Sequence, residues 1–197
     1  LGPEYQGFGK RLLVLPKIKD VLDRLGLSEQ FKTLRITFRL PPPTEEPISK
    51  GFYDNELQAA KEAQKRLSEA FRIVDMNRFK ECEKIRNDEL WYNTVEMLNE
   101  ALSDLNNPKP IIIANIDADI PPYQQFEPCR VKLATYFALL LRCLIGESFG
   151  ISVIAPYREL VESARYYYRK LTEISGISGN VRFLTVQSML GGEDDIV

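Results

Sequence analysis

Ile151-Ser152-Val153-Ile154-Ala155-Pro156-Tyr157 is the stretch on which the fold turns. Its first five residues are short, apolar and rich in β-branched side chains, which suits a strand buried on both faces. Pro156 sits where the first turn of a helix tolerates a proline. The spacing predicts that helix over Tyr157 to Ile174, closed by Gly176 and Gly179, with a further strand from Val181 to Val186. Upstream, Phe126 to Glu147 reads as a helix that is apolar nearly all round at its centre, with Gly146 near its end. Before it, Ile111 to Ile116 is another apolar run suited to a buried strand. Strand, helix, strand, helix, strand in that order predicts a parallel sheet covered on both faces. Ligands of such sheets bind at the carboxyl ends of the strands. Those ends carry Asp117 and Asp119, then Ala155-Pro156-Tyr157, then Gln187 and Ser188.

Toward the N-terminus the signals are shorter. Leu12 to Leu15 is an apolar run, Ile18 to Leu25 a short helix, and Leu34 to Phe38 alternates as a strand does until Pro41-Pro42-Pro43 stops it. From Leu57 to Leu105 the period is helical. Ala60, Ala63, Leu67, Ala70, Phe71 and Val74 form one stripe, and Trp91, Val95, Leu98, Leu102 and Leu105 another. These predict an antiparallel helical pair over 57–107, broken near Asp75 to Asn77 and ended by Asn106-Asn107-Pro108. Residues 1–56 and 108–197 then form the sheet domain.

Composition removes several function classes. The 197 residues carry 26 Lys+Arg against 28 Asp+Glu, a net charge of -2, so a nucleic-acid contact would need a local patch rather than bulk charge. With no histidine, Ser-His triads and His-based zinc sites are excluded. Cys82, Cys129 and Cys143 are too few for a disulfide framework, which fits a reducing setting inside the cell, nucleus or cytoplasm. The apolar run Leu133 to Ile145 is interrupted by Arg142 and falls short of the roughly 20 residues that span a bilayer. No signal-peptide pattern opens the chain, and its two ends read as cuts from a longer protein.

No Gly-x-x-x-x-Gly-Lys-Ser/Thr loop occurs, and Gly7-Phe8-Gly9-Lys10 has the wrong spacing for one. Asp117 and Asp119 are a candidate magnesium pair, although short polar residues also end strands for no other reason. Arg165 and Arg169, with Tyr166 to Tyr168 between them, have the interleaving that stacks nucleic acid. The plainer account packs the tyrosines on the sheet and leaves the arginines in water.

Three segments carry more specific texture: Thr37 to Pro42 followed by Gly51-Phe52-Tyr53, Val153 to Arg158, and Leu184 to Ser188 followed by Gly191 to Val197. Taken in order, they resemble the second RecA-like domain of superfamily 1 helicases, in the group that includes the nonsense-mediated-decay RNA helicase. Phe38-Arg39-Leu40-Pro41-Pro42 and Phe52-Tyr53 are similar to motif IV. Ala155-Pro156-Tyr157 is similar to a strand ending in Thr-Pro-Tyr, Val186 to Val197 to motif V, and Gly2-Pro3-Glu4-Tyr5-Gln6 to motif III.

This resemblance implies a three-layer RecA-like parallel sheet, of the P-loop NTPase type, with an inserted helical pair. It implies the second half of an ATP-dependent helicase, whose ATP and magnesium are held mainly by an upstream RecA-like domain of the same polypeptide. Arg39 then stands as the arginine finger and Gln6 as the coupler of γ-phosphate to the track. Glu193 and Gly191 lie near the nucleotide, and Thr185, Ser188, Pro156 and Tyr157 approach single-stranded RNA or DNA. By itself the chain should not hydrolyse ATP. Several motif positions depart from the family: Pro3 for aspartate, Pro41 for histidine, Leu160 and Leu190 for glutamines, and Gly192 for arginine. A leucine makes none of a glutamine's hydrogen bonds. That leaves open a decayed helicase-like scaffold whose 57–107 helices bind a protein partner, and behind it an unrelated small α/β enzyme using Asp117 and Asp119.

Overall fold

The computed structural model describes residues 20–27, 29, 35–82, 85, 88–104, 109–116, 128–177, 179–190, 192 and 194–197. In chain order these form β1 (Ile36–Thr37), α1 (Glu46–Phe52), β2 (Gln58–Ala59), α2 (Lys61–Arg72) and α3 (Met76–Cys82). Then follow α4 (Glu89–Ala101), α5 (Pro128–Ile145), β3 (Ser152–Ala155), α6 (Arg158–Ser175), β4 (Arg182–Thr185) and the single turn α7 (Val186–Met189).

The centre of the core is α5. Proline at its first position costs no hydrogen bond, and from Val131 onward its apolar side chains occupy nearly every face, so it is covered on both sides. On one side lie Phe79 and Cys82 of α3 and Trp91, Val95 and Leu98 of α4; on the other lie Val161, Ala164, Tyr168 and Leu171 of α6. Trp91 and Phe79 have no exposed surface, and each buried large side chain of this kind contributes roughly 1.5–3 kcal/mol. Asp88 sets the angle of α4. One carboxylate oxygen accepts from the Trp91 backbone N–H at 3.0 Å and caps the helix, while the other accepts from the Tyr136 hydroxyl of α5 at 2.9 Å. The Trp91 and Tyr136 rings meet edge to face, 5.1 Å between centroids.

Among the described residues, the segment expected to form two helices holds three, α2, α3 and α4. The expected break is present, because Asp75 accepts from the backbone N–H groups of Asn77 and Arg78 and starts α3 afresh. The stripes that suggested a free-standing hairpin bury Phe79, Trp91 and Leu98 against α5 instead. Pro41 to Pro43 leave β1 as expected, but the chain turns at once into α1, whose first turn holds Pro47.

The three-layer RecA-like sheet is overturned. Among the described residues the chain is mostly helical, and its strands form two separate two-stranded parallel sheets, β1 with β2 and β3 with β4. Residues 111–116 form no strand, and Ile113 is 88% exposed. The reason lies in what flanks β3. On one edge its register with β4 runs Ser152↔Arg182 to Ala155↔Thr185. On the other, the Ser152 N–H donates to the Ile196 carbonyl and the Ile196 N–H to the Gly150 carbonyl. Both edges near Ile151 are therefore occupied, which leaves an apolar run no place beside the start of β3. A β-branched run signals a capacity to pair, whereas pairing needs a partner at the right height.

The reading of the cysteines is corrected as well. Cys82 at the end of α3 and Cys143 in α5 are joined by a disulfide, their Cα atoms 6.7 Å apart, and Cys129 is a free thiol. They are 61 residues apart in sequence, so only the packing of α3 on α5 makes them neighbours. No described helix is long and apolar enough to cross a membrane.

Candidate nucleic-acid interface at the strand ends

The parallel register places Ala155 directly opposite Thr185. The residues that leave the two strands therefore emerge side by side: Pro156 and Tyr157 from β3, and Val186 to Ser188 from β4. The two predicted segments, 31 positions apart when Ala155 is counted against Val186, meet at one edge as the carboxyl-end rule requires.

Each side of this edge has a definite local cause. Tyr157 is the residue preceding α6, in extended conformation, and makes no side-chain cap bond. The first-turn amides of α6 are thus left for another acceptor, and the Tyr157 ring, 45% exposed, stands beside them. Pro156 lies one residue ahead of the cap rather than in the helix itself. Across the edge, Thr185 caps α7. Its hydroxyl oxygen accepts from the Ser188 backbone N–H at 3.2 Å and lies 2.8 Å from the Ser188 hydroxyl. Ser188 is exposed and Thr185 half-buried. Two hydroxyls, one exposed aromatic ring and a set of helix-start amides can contact a sugar-phosphate strand through stacking and phosphate hydrogen bonds.

The opposite ends of the same strands are tied down by acidic residues. Asp194 forms an ion pair with Arg182 and accepts from the Ser152 hydroxyl, and Asp195 accepts from the Gly150 N–H at 2.8 Å. These carboxylates join the amino ends of β3 and β4 and face away from the candidate edge.

Arg39 follows β1, in a sheet separate from that of β3 and β4. It lies exposed in the bend after β1, with its backbone N–H donating to the Thr37 hydroxyl, and the neighbouring Phe38 carbonyl accepts from Arg66 of α2. Gln6, Gly191, Glu193, Asp117 and Asp119 fall outside the described residues. Among the described residues no three His, Cys, Asp or Glu side chains gather as metal ligands, and the whole sequence lacks a phosphate loop. The described donor set therefore does not fit ATP with magnesium.

The Arg-Tyr stripe of α6 divides. Tyr168 turns inward onto Phe183, centroids 5.4 Å apart, while Tyr166 stays exposed with Arg169 over its ring at 5.8 Å. Burial pushes the Tyr168 hydroxyl above the usual phenol range, against a smaller opposite pull from Arg142. A raised folded-state value means the unfolded chain releases its proton first as the solution turns alkaline, so stability is intact below about pH 10 and is lost above it. Unfolding midpoints measured from pH 8 to pH 12 should fall more steeply for the wild type than for Tyr168→Phe, with the curves diverging only above pH 10.

Sequence reasoning took Arg142 only as a break in an apolar run. It is 3% exposed in the last turn of the core helix, and it donates to the carbonyls of Gly146 at 2.6 Å, Phe149 at 3.0 Å and Asn180. The available signal was a basic residue in the last turn of an apolar helix, where the exposed carbonyls favour a cation. No family profile, curated protein or solved structure matches the chain.

Proposed function

We propose that this chain is a nucleic-acid-contacting portion of an ATP-dependent helicase, gripping single-stranded RNA or DNA at the carboxyl ends of β3 and β4. The observation that carries the reading is the Ala155↔Thr185 pairing. It sets Pro156 and Tyr157 beside Thr185 and Ser188, the four residues that the helicase resemblance assigns to the track. Tyr157 supplies a stacking face, the Ser188 hydroxyl a phosphate donor, and Thr185 holds Ser188 in place through the α7 cap. Nucleotide and magnesium are held by another domain of the parent polypeptide, and Arg39 is the group this chain would offer toward them. The chain alone binds the track without turning over ATP.

The test is fluorescence anisotropy with end-labelled single-stranded 12-mers of RNA and of DNA. The wild-type chain should bind, with affinity falling as salt rises. Tyr157→Ala should weaken binding by about 5- to 100-fold, the range of one lost base–aromatic stack. Absence of binding to both oligomers, or a Tyr157→Ala variant that binds as well as the wild type, would remove the strand-end interface.

A further inference from the structure

A second surface feature is independent of the strand ends. Between α6 and the segment leading into β4 lies a cleft of about 350 Å³, walled by Arg165, Arg169, Thr172, Asn180 and Ile177, with Tyr168 at its base. It flanks the start of β4, whereas the candidate nucleic-acid edge lies at the end of that strand.

The charge around it is unbalanced. Arg165 is held in place by two contacts to Glu162, at 2.8 and 2.7 Å, and by the Phe183 carbonyl at 3.0 Å. Arg169 has the longer ion pair: its Nε is 3.8 Å from Glu173, whose carboxylate lies nearer to Lys170, at 3.0 Å, and its guanidinium lies over the Tyr166 ring. Behind the far wall is Arg142. Its guanidinium meets neutral partners, three carbonyls and the Tyr168 hydroxyl, and its buried Nε finds no acceptor. Gly179, a cleft residue at φ +135°, packs directly on the Arg142 side chain, and a Cβ there would collide with it. A glycine is required because the backbone must pass between the cleft and the guanidinium. Three guanidinium groups, those of Arg165, Arg169 and Arg142, therefore line or back this cleft, and the buried one is felt more strongly than a charge on open surface.

We infer that the α6–β4 cleft is a binding site for a phosphomonoester carried on a small, partly apolar body. Guanidinium forks match a phosphate in geometry as well as in charge. The cleft volume exceeds what a lone phosphate ion fills, and Ile177, Val181 and Phe183 give the remainder an apolar lining. Arg169 exchanges its long contact to Glu173 for the ligand, and Arg165 keeps its contacts to Glu162 and the Phe183 carbonyl.

The experiment is isothermal titration calorimetry of the intact chain with adenosine 5′-monophosphate, inorganic phosphate, adenosine, and a pentanucleotide without terminal phosphates. Saturable binding of the monophosphate, weaker binding of phosphate and none of adenosine are expected. Arg169→Glu, a change at an exposed position, should weaken the monophosphate by at least about 10-fold, the loss of one charge-assisted contact. Lys65→Glu on α2 makes the same change in net charge away from the cleft and should leave it unaltered. The inference is overturned if no binding saturates, if both variants weaken it equally, if adenosine binds as well as its monophosphate, or if the pentanucleotide displaces the monophosphate from the cleft.

Discussion

Reducing the Cys82–Cys143 bond should lower the unfolding free energy by about 4 kcal/mol, the largest change expected from any single bond in the molecule. The magnitude follows from chain entropy. A bridge across 61 residues denies the unfolded chain the freedom of a loop of that length, and the model of loop closure puts that loss at roughly 4 kcal/mol. The enclosed stretch holds α4 and most of α5, so the bond also fixes α3 against the two helices that bury Phe79 and Trp91. Against this stands the packing of the two sulfur atoms, which survives reduction because both cysteines are buried. Reduced protein should therefore keep its helical circular dichroism while unfolding at lower urea. Cys143→Ala should unfold where reduced wild type does, and its midpoint should ignore added dithiothreitol. A wild-type midpoint that reductant leaves unmoved would show that the bond does not form in solution.

The same pair shows where sequence reasoning stops. Cysteine count and spacing register as a framework when many bridges crowd a short chain, whereas one bridge between distant helices depends on their docking. The helices themselves were legible, because a stripe such as Trp91, Val95 and Leu98 must face something apolar. What they faced was not. An amphipathic stripe carries no label distinguishing the chain's own α5 from a partner protein. The β3–α6–β4 unit was also legible, since one short strand, a proline, an amphipathic helix with a glycine C-cap and a second short strand form a local pattern with a local solution. Gly176 takes the left-handed conformation that such a cap requires, φ 68°.

The larger sheet failed for a physical reason. Ile111 to Ile116 has the composition of a central strand, yet strand formation is a property of pairs, and β3 has both of its edges near Ile151 already bonded. The candidate site divides along the same line. Pro156-Tyr157 and Thr185-Ser188 meet because a local βαβ register brings them together. Arg39, read as a finger toward a nucleotide held elsewhere, follows β1, which pairs only with β2 among the described strands.

Arg142→Met is expected to destabilise the protein by about 3 kcal/mol, and the argument turns on which of two opposing terms is larger. Burying a guanidinium without a carboxylate is costly, and methionine, with a similar stem, recovers that cost. In exchange it strands the carbonyls of Gly146, Phe149 and Asn180, which terminate α5, precede β3 and precede β4 respectively. A partly buried acceptor left without a donor costs about 1–3 kcal/mol, and here three are lost together. The cation also sits in the last turn of α5, where the helix dipole favours it. The acceptor loss should therefore prevail, and the connections at 146–150 and 176–181 should loosen with it. Arg142→Lys separates charge from geometry: an ammonium keeps the dipole interaction but cannot span three carbonyls at once, so its urea midpoint should fall between the other two. A methionine variant as stable as wild type would mean that water replaces the guanidinium at all three carbonyls. A lysine variant as stable as wild type would assign the stabilisation to charge alone.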